Sequence, residues 1–388
     1  MRIFKDMALS TVFAGAVTVM VGITSSLALV FQAAVASGAT AAQMGSWVWA
    51  LGLGMGVTCV GLSMRYRMPI VTAWSTSGAA MLIISAPGTP MAEVIGAFVL
   101  SSLLVTVVGF SGLFERFMDR VPLSLAAGML AGVLLRLGVD VFVVMSNQLW
   151  LPLLMVLVYL LAQRWWPRYA VVWTMLCGGA WAAGHGQVHL QDIDWQWAQP
   201  VWTTPQFSLS SCISLALPFF IVNMASQNIP GVASLRANGY PAPITPVIGW
   251  IGVVNLLLAP FGALSVNLAA ITASICSAPE AHPDPSKRYT AAMAAGVFYL
   301  LAGLAGASMV SLFAAFPQAL VTVIAGIALF GTISNALATA MQDVQQRQAA
   351  FITFALTASG FSLWGISSAF WGLVAGLLAW ALSKRTAP

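Results

Sequence analysis

The chain has 388 residues, of which 60% are hydrophobic and only 6% charged, and its mean hydropathy is +0.92. That composition cannot clothe a soluble surface, so a polytopic membrane protein is expected and a soluble domain with a single anchor is excluded. The net charge of +5 points to nucleic acid only if the basic residues form a patch, and their placement speaks instead of topology.

At about 20 residues per crossing the length admits roughly 12 to 14 spans. The apolar stretches place them at 8–31, 46–63, 69–86, 91–110, 122–145, 149–163, 169–185, 209–235, 243–260, 262–277, 289–312, 317–338, 348–364 and 366–383. The first lacks a persuasive cleavage site and is followed by further spans, so a retained helix is expected. Cys59, Cys177, Cys212 and Cys276 lie in apolar segments without CxxC spacing. Membrane-buried thiols are expected there, with no disulfide and no metal site. Trp47, Trp49, Trp150, Trp165, Trp166, Trp195, Trp197 and Trp202 fall near span ends or in the large outer loop, which suits interface anchors better than substrate stacking.

With a cytoplasmic N-terminus, one side collects Arg2, Lys5, Arg65, Arg67, Arg116, Arg120, Arg164, Arg168, Arg236, Lys287, Arg288, Arg347, Lys384 and Arg385, leaving Arg136 alone of the basic residues. The opposite side receives the loop 185–207, with Asp192 and Asp194 but no Lys or Arg. This is the positive-inside pattern, and both termini are expected in the cytoplasm. The loop divides the chain into a first repeat, 1–186, a periplasmic segment, 187–208, and a second repeat, 209–388. Each half carries an odd number of spans, so the second crosses in the opposite sense to the first, as in the inverted repeats of secondary transporters.

The third and tenth spans are short, polar and glycine-bearing: IVTAWSTSGAAML at 70–82 and GALSVNLAAITASI at 262–275. In a bilayer, broken backbone is tolerated only where protein or water satisfies it, so a matched pair of broken spans points to a substrate site at mid-depth. After Pro69 the β-branched Ile70, Val71 and Thr72 can run extended, and Ser75, Thr76 or Ser77 can cap a half-helix that continues through Gly78. In the second segment Leu264, Ser265 and Val266 are expected to be extended, with Asn267 as the cap. The two half-helix N-termini would then face one another and favour an anion or a polarised carbonyl. Small residues that let helices approach closely are the plainer use of any one of these serines.

The eighth span carries Asn223 and Gln227 at i and i+4, hence on one face, and Asn228 ahead of Pro230. One amide could simply join neighbouring helices at about 1 kcal/mol or less. Three within six residues are more economically read as lining a polar cavity.

NMASQNIPG (223–231), LSVNLAAIT (264–272) and the opening VFAGAVTVMVGITSSLALVFQAA (12–34) resemble the bacterial benzoate transporter family, BenE, and the resemblance covers essentially the whole chain. It implies an all-α polytopic membrane protein of fourteen transmembrane segments in seven-plus-seven inverted repeats, distantly related to nucleobase–ascorbate and sulfate-type transporters. It further implies a core of spans one to four and eight to eleven, a gate of spans five to seven and twelve to fourteen, and import of benzoate or a related aromatic carboxylate by an elevator-like, proton-coupled mechanism. The uracil-type relatives carry carboxylates where this chain has Gln227 and Val266, the latter beside Asn267. A fixed carboxylate would repel a carboxylate substrate at low dielectric, so the exchange argues for an organic anion.

The candidate substrate-binding residues are therefore Ser75, Thr76, Ser77, Gly78, Asn223, Gln227, Asn228, Ser265 and Asn267. No carboxylate sits among them to carry a proton. Arg136 and Asp140, at i and i+4 in the fifth span, could pair within the membrane and are the coupling candidates; cotransport of the proton with the substrate is the alternative. A nucleobase or xanthine-type permease of the same fold is the competing reading. A membrane-embedded enzyme would need a cluster such as His282 and Asp284, which two prolines place in a loop, and a passive channel would not need the repeat-related breaks. The expected partners are the aromatic carboxylate, a proton and membrane lipid, with no cofactor and no nucleic acid, and a homodimer is one of the assemblies open to the chain.

Overall fold

A computed structural model describes residues 6–114, 122–188, 195–241, 243–361, 363 and 368–384. Arg2, Lys5, Arg116, Arg120, Asp192, Asp194 and Arg385 lie outside the described residues. The first half holds α1 (Leu9–Ala36), α2 (Ala41–Tyr66), β1 (Thr72–Trp74), α3 (Thr76–Ser85), α4 (Met91–Phe110), α5 (Leu123–Asn147), α6 (Trp150–Trp165) and α7 (Ala170–Gly184). The second holds α8 (Leu209–Arg236), α9 (Ile244–Leu258), β2 (Val266–Leu268), α10 (Ile271–Ser277), α11 (Tyr289–Leu304), α12 (Gly306–Ala314), α13 (Gln318–Gln342), α14 (Arg347–Ala358) and α15 (Ser368–Lys384). Among the described residues six helices are long and apolar enough to cross a membrane alone, and up to eight spans are counted if each of two bent helix pairs is one span. The bend between α11 and α12 is 66°.

Local chemistry sets the element ends. Thr40 opens α2 with a capping box: its hydroxyl accepts from Gln43 N–H at 3.3 Å, and Gln43 Oε1 accepts from Thr40 N–H at 2.9 Å. The helix stops at Arg67, the one described non-glycine residue at positive φ (51°), which rests over the Tyr289 ring and 3.9 Å from Asp6. Tyr289 in turn donates to Asp6 at 2.8 Å, which ties the start of the chain to α11. Pro69 follows, and the chain goes extended.

Helix packing is close because small residues meet at the crossings. A Cβ on Gly52 of α2 would lie 2.5 Å from the Gly303 Cα of α11, so only glycine fits there. α11 packs along α2 and α1, and α9 along α4; in a separate set α5 packs on α13 and α14, and α6 on α7. The described part of the long connection before α8 runs as a strap over the first set. Ala198 N–H donates to Leu304 at 2.9 Å, Val201 N–H to Ser46 Oγ at 2.9 Å, Thr203 N–H to Pro260 at 2.9 Å and Gln206 N–H to Ala92 at 2.8 Å.

The tryptophans divide. Trp150, Trp165, Trp166, Trp195, Trp197 and Trp202 are exposed, as interface anchors would be, whereas Trp47 is only 2% exposed. Trp47 packs edge-on against Phe98 and fills the space a side chain would take at Gly262, which sits at φ 92°. Its place in the sequence near a span end does not reveal that slot.

Candidate functional site

The two broken spans meet. β1 and β2 pair antiparallel in the register Thr72↔Leu268, Ala73↔Asn267 and Trp74↔Val266. The ladder is prolonged by Ser75 N–H to Ser265 O and Ala269 N–H to Val71 O, each 3.0 Å. These end bonds are four residues apart, roughly 13 Å at the rise of a strand. α3 leaves from one end of the ladder and α10 from the other, so each presents its first turn to the strand pair.

An isolated two-stranded ladder in a membrane has two unsatisfied edges, and here side chains satisfy much of both. On the β1 side Cys59 Sγ accepts from Thr72 N–H at 3.2 Å, and Ser63 Oγ both accepts from and donates to the Ile70 backbone at 3.1 and 3.0 Å. The Thr58 and Thr72 hydroxyls are 2.6 Å apart. On the β2 side Asn255 of α9 brackets Val266, with Oδ1 accepting from its N–H and Nδ2 donating to its C=O, both at 2.8 Å. Asn228 Oδ1 accepts from Leu268 N–H at 3.0 Å. Asn255 escapes the sequence reading because it is the single amide of α9, and a lone amide reads as a link between neighbouring helices rather than as part of a site.

Ser75, the first of the three expected caps, closes α3: its Oγ accepts from Gly78 N–H at 2.9 Å. With that lone pair engaged, its hydroxyl donates to Asn223 Oδ1. The other end of that amide, Asn223 Nδ2, is buried and has no hydrogen-bond partner. Ser77 Oγ lies 2.6 Å from Ser226 Oγ, and because the Ser226 hydroxyl is spent on Val222 O, Ser77 donates to Ser226. Ser77 accepts in turn from Gln227 Nε2 at 3.2 Å. Gly78 lies against this group: an added Cβ would stand 2.7 Å from Phe219, 2.8 Å from Ser75 Oγ and 2.9 Å from Asn223 Oδ1. Phe219 stacks on Phe98, which meets Trp47, so an aromatic wall backs the first turn of α3.

The second group belongs to β2. Asn267 Oδ1 accepts from Asn228 Nδ2 at 2.9 Å, and Asn267 Nδ2 donates to Ser265 Oγ at 3.0 Å. Asn267 therefore does not cap a half-helix. Its amide is consumed on the strand, β2 runs through Leu268 rather than ending at Val266, and α10 starts at Ile271 behind Ala270 with no side-chain cap. Arg288 holds the far end of α10 by donating to Ser277 O at 2.9 Å, a cation on helix C-terminal carbonyls.

Ser75, Ser77, Gly78, Asn223 and Gln227 thus form one constellation, and Asn228, Ser265 and Asn267 a second, joined by the Ser75–Ser265 backbone bond. Thr76 is half-buried at the start of α3. The helical turn Met224–Asn228 is a π-turn. Its i→i+5 closure takes more than four residues per turn, which keeps Asn223 and Gln227 on the α3 side and sends Asn228 to β2. Ser26 and Trp74 join unpredicted: the Trp74 indole N–H donates to Ser26 Oγ at 2.7 Å, binding β1 to α1.

The expected pairing of Arg136 and Asp140 does not form. Arg136 is exposed on α5, Asp140 is half-buried, and the ion pairs among the described residues are Arg67–Asp6 and Lys287–Asp284. Helical spacing permits contact at i and i+4 but does not compel it. The His282–Asp284 cluster is a turn rather than a catalytic group. Asp284 accepts from the Ser286 N–H and hydroxyl, which hold its carboxyl below the ordinary range, and its own N–H donates to His282 Nδ1.

The family model and the curated relatives define a membrane transporter rather than an enzyme. The transmembrane domain of a cyanobacterial bicarbonate transporter, BicA, superimposes with a TM-score of 0.62 at 13% identity, covering 95% of this chain and 97% of that one. SLC26A9 superimposes at 0.60 and 11% identity over 96% of this chain and 65% of its own length. The chain belongs to the benzoate membrane transport protein family, BenE, whose model matches residues 5–382. It is 46% identical to the inner membrane protein YdcO of Escherichia coli (strain K12) over 94% of both chains. It is 38% identical to the benzoate membrane transport protein of Acinetobacter baylyi, over 97% of this chain and 95% of that one.

Proposed function

We propose that the chain is a secondary active transporter that carries benzoate or a related aromatic carboxylate across a bacterial inner membrane, by alternating access with an elevator-like movement and proton symport. The observation that carries this reading is the Asn223 amide: a buried donor without a partner, set beside the first turn of α3. An unmet buried donor costs about 1–3 kcal/mol, and a carboxylate oxygen brought to it would recover that cost and meet the positive end of the helix as well. The relatives' names supply the substrate class and the inner membrane. Two coupling routes belong to the proposal: Arg136 and Asp140 of α5, which act without an ion pair between them, or cotransport of the proton with the substrate.

Competition tests the charge reading. Benzamide, which replaces the carboxylate with a neutral amide of similar shape, should compete with labelled benzoate at least tenfold worse than unlabelled benzoate does. Equal competition would mean that the site does not read charge, and the nucleobase-type alternative would take its place.

Gln227 offers a second test. Gln227→Glu should cut carboxylate uptake at least tenfold at pH 7, where the new carboxylate is ionised and repels the substrate, with partial recovery as the pH falls and the group protonates. Uptake unchanged at pH 7 in a correctly inserted protein would remove Gln227 from the site.

The finer architecture belongs to the same proposal. It comprises fourteen spans in two inverted sets, with spans one to four and eight to eleven as the core, five to seven and twelve to fourteen as the gate, and both termini cytoplasmic. Support comes from the two packing sets, α1–α4 with α8–α12 and α5–α7 with α13–α15, and from the side-segregated basic residues. Reporter fusions at Ala198 and at Pro388 should read opposite sides of the membrane; the same side for both would overturn the span count.

A further inference from the structure

Away from the strand crossing, a cavity of about 450 Å³ opens between α2 and α9. Its walls are Val57, Gly61 and Leu62 of α2 and Trp250 and Val254 of α9, with Arg65 at one end. Val57 and Trp250 are about half exposed, at 48% and 51%, so the cavity is an outward-facing groove and not part of the buried site. An added Cβ at Gly61 would meet nothing within 4 Å, which leaves the middle of the groove open. From Val57 to Arg65 the groove runs about 12 Å along the helix, at 1.5 Å per residue.

The two ends differ in chemistry. Val57 and Val254 are apolar, whereas Arg65 stands one residue before the end of α2, where the chain leaves its apolar stretch. The Arg65 guanidinium lies 5.7 Å from the Tyr66 ring centroid, and neither of the ion pairs among the described residues includes it. Trp250 is steadied edge-on by Phe110 at 5.8 Å. A cation at the end of an apolar trough suits a molecule with an anionic head and a long hydrocarbon tail.

We propose that this groove is a binding site for an anionic glycerophospholipid, with the phosphate on Arg65 and one acyl chain along Gly61 between Val57 and Trp250. A single aromatic ring with a carboxylate would meet Arg65 but leave most of the trough empty, which separates this site from the substrate's. The site also touches the machinery from behind: Thr58 in its wall carries the hydroxyl bonded to Thr72 of β1.

Native mass spectrometry of the full chain, delipidated and then exposed to phosphatidylglycerol or to phosphatidylcholine with the same acyl chains, reads this directly. The wild type should retain one phosphatidylglycerol at least fivefold better than phosphatidylcholine. Arg65→Gln should erase that preference, Gly61→Leu should lower retention of both lipids by filling the trough, and Arg236→Gln, an exposed cation elsewhere, should change nothing. The proposal is overturned by equal retention of the two lipids in the wild type, a measurement that needs no variant to fold. It is equally overturned if the preference survives both Arg65→Gln and Gly61→Leu, if Arg236→Gln removes it as well, or if millimolar inorganic phosphate or benzoate displaces the lipid.

Discussion

Replacing Gly78 with leucine should abolish benzoate uptake while the protein still inserts and extracts as a single species. Ordinary contact for a Cβ begins near 3.4 Å, and here three neighbours stand at 2.7, 2.8 and 2.9 Å: the Phe219 ring, the Ser75 hydroxyl and the Asn223 carbonyl oxygen. Of these the Ser75 hydroxyl closes the first turn of α3 and the Asn223 oxygen accepts from it. Overpacking costs about 1–3 kcal/mol even where the surroundings can yield, and here yielding means breaking the Ser75–Asn223 contact or pushing Phe219 off Phe98. Alanine alone should therefore reduce uptake by about ten- to a hundredfold, on that same range of cost. Lost polarity should do less: Ser75→Ala removes the hydroxyl that caps α3 and should cost about 0.5–2 kcal/mol, the range for a helix cap. Uptake measured beside the amount of membrane-inserted protein decides the matter. Uptake by Gly78→Leu within twofold of wild type would mean that the first turn of α3 does not face the substrate.

Much of this site is legible without coordinates, for a physical reason. A bilayer punishes unmet backbone groups, so a run such as WSTSG inside an apolar span has few explanations other than a break with a serine cap, and Ser75 takes that role. The amides of α8 are legible on the same ground. What periodicity does not carry is how long each extended stretch runs and which atoms its edges borrow. Asn267 has the composition of a cap, but whether an amide caps a helix or spans a strand depends on the neighbour presented to it, and Asn228 reaches it from a turn whose π character leaves no mark in the sequence. Arg136 and Asp140 illustrate the converse: spacing gives the opportunity for an ion pair, and the pair does not form.

The side chains that satisfy the edges of the buried ladder should be as indispensable as those proposed to face the substrate, and Asn255 is the sharpest case. One amide satisfies both the N–H and the C=O of Val266, at 2.8 Å each, at a residue that is itself fully buried. Asn255→Leu would leave both groups without a partner where no water is at hand, at about 1–3 kcal/mol each. That is a large share of the roughly 5–15 kcal/mol that holds a typical protein folded. The thermal unfolding midpoint of the purified protein should fall by at least about 5 °C. Uptake should be lost, because β2 would no longer be held in register against β1. Asn255→Asp separates hydrogen bonding from bulk: burial keeps such a carboxyl protonated, so it offers one acceptor and one donor in nearly the same shape. The aspartate variant should accordingly unfold at a higher temperature and transport better than the leucine variant. If the two behave alike, or if leucine leaves the midpoint unchanged, the clamp on Val266 does not support the ladder.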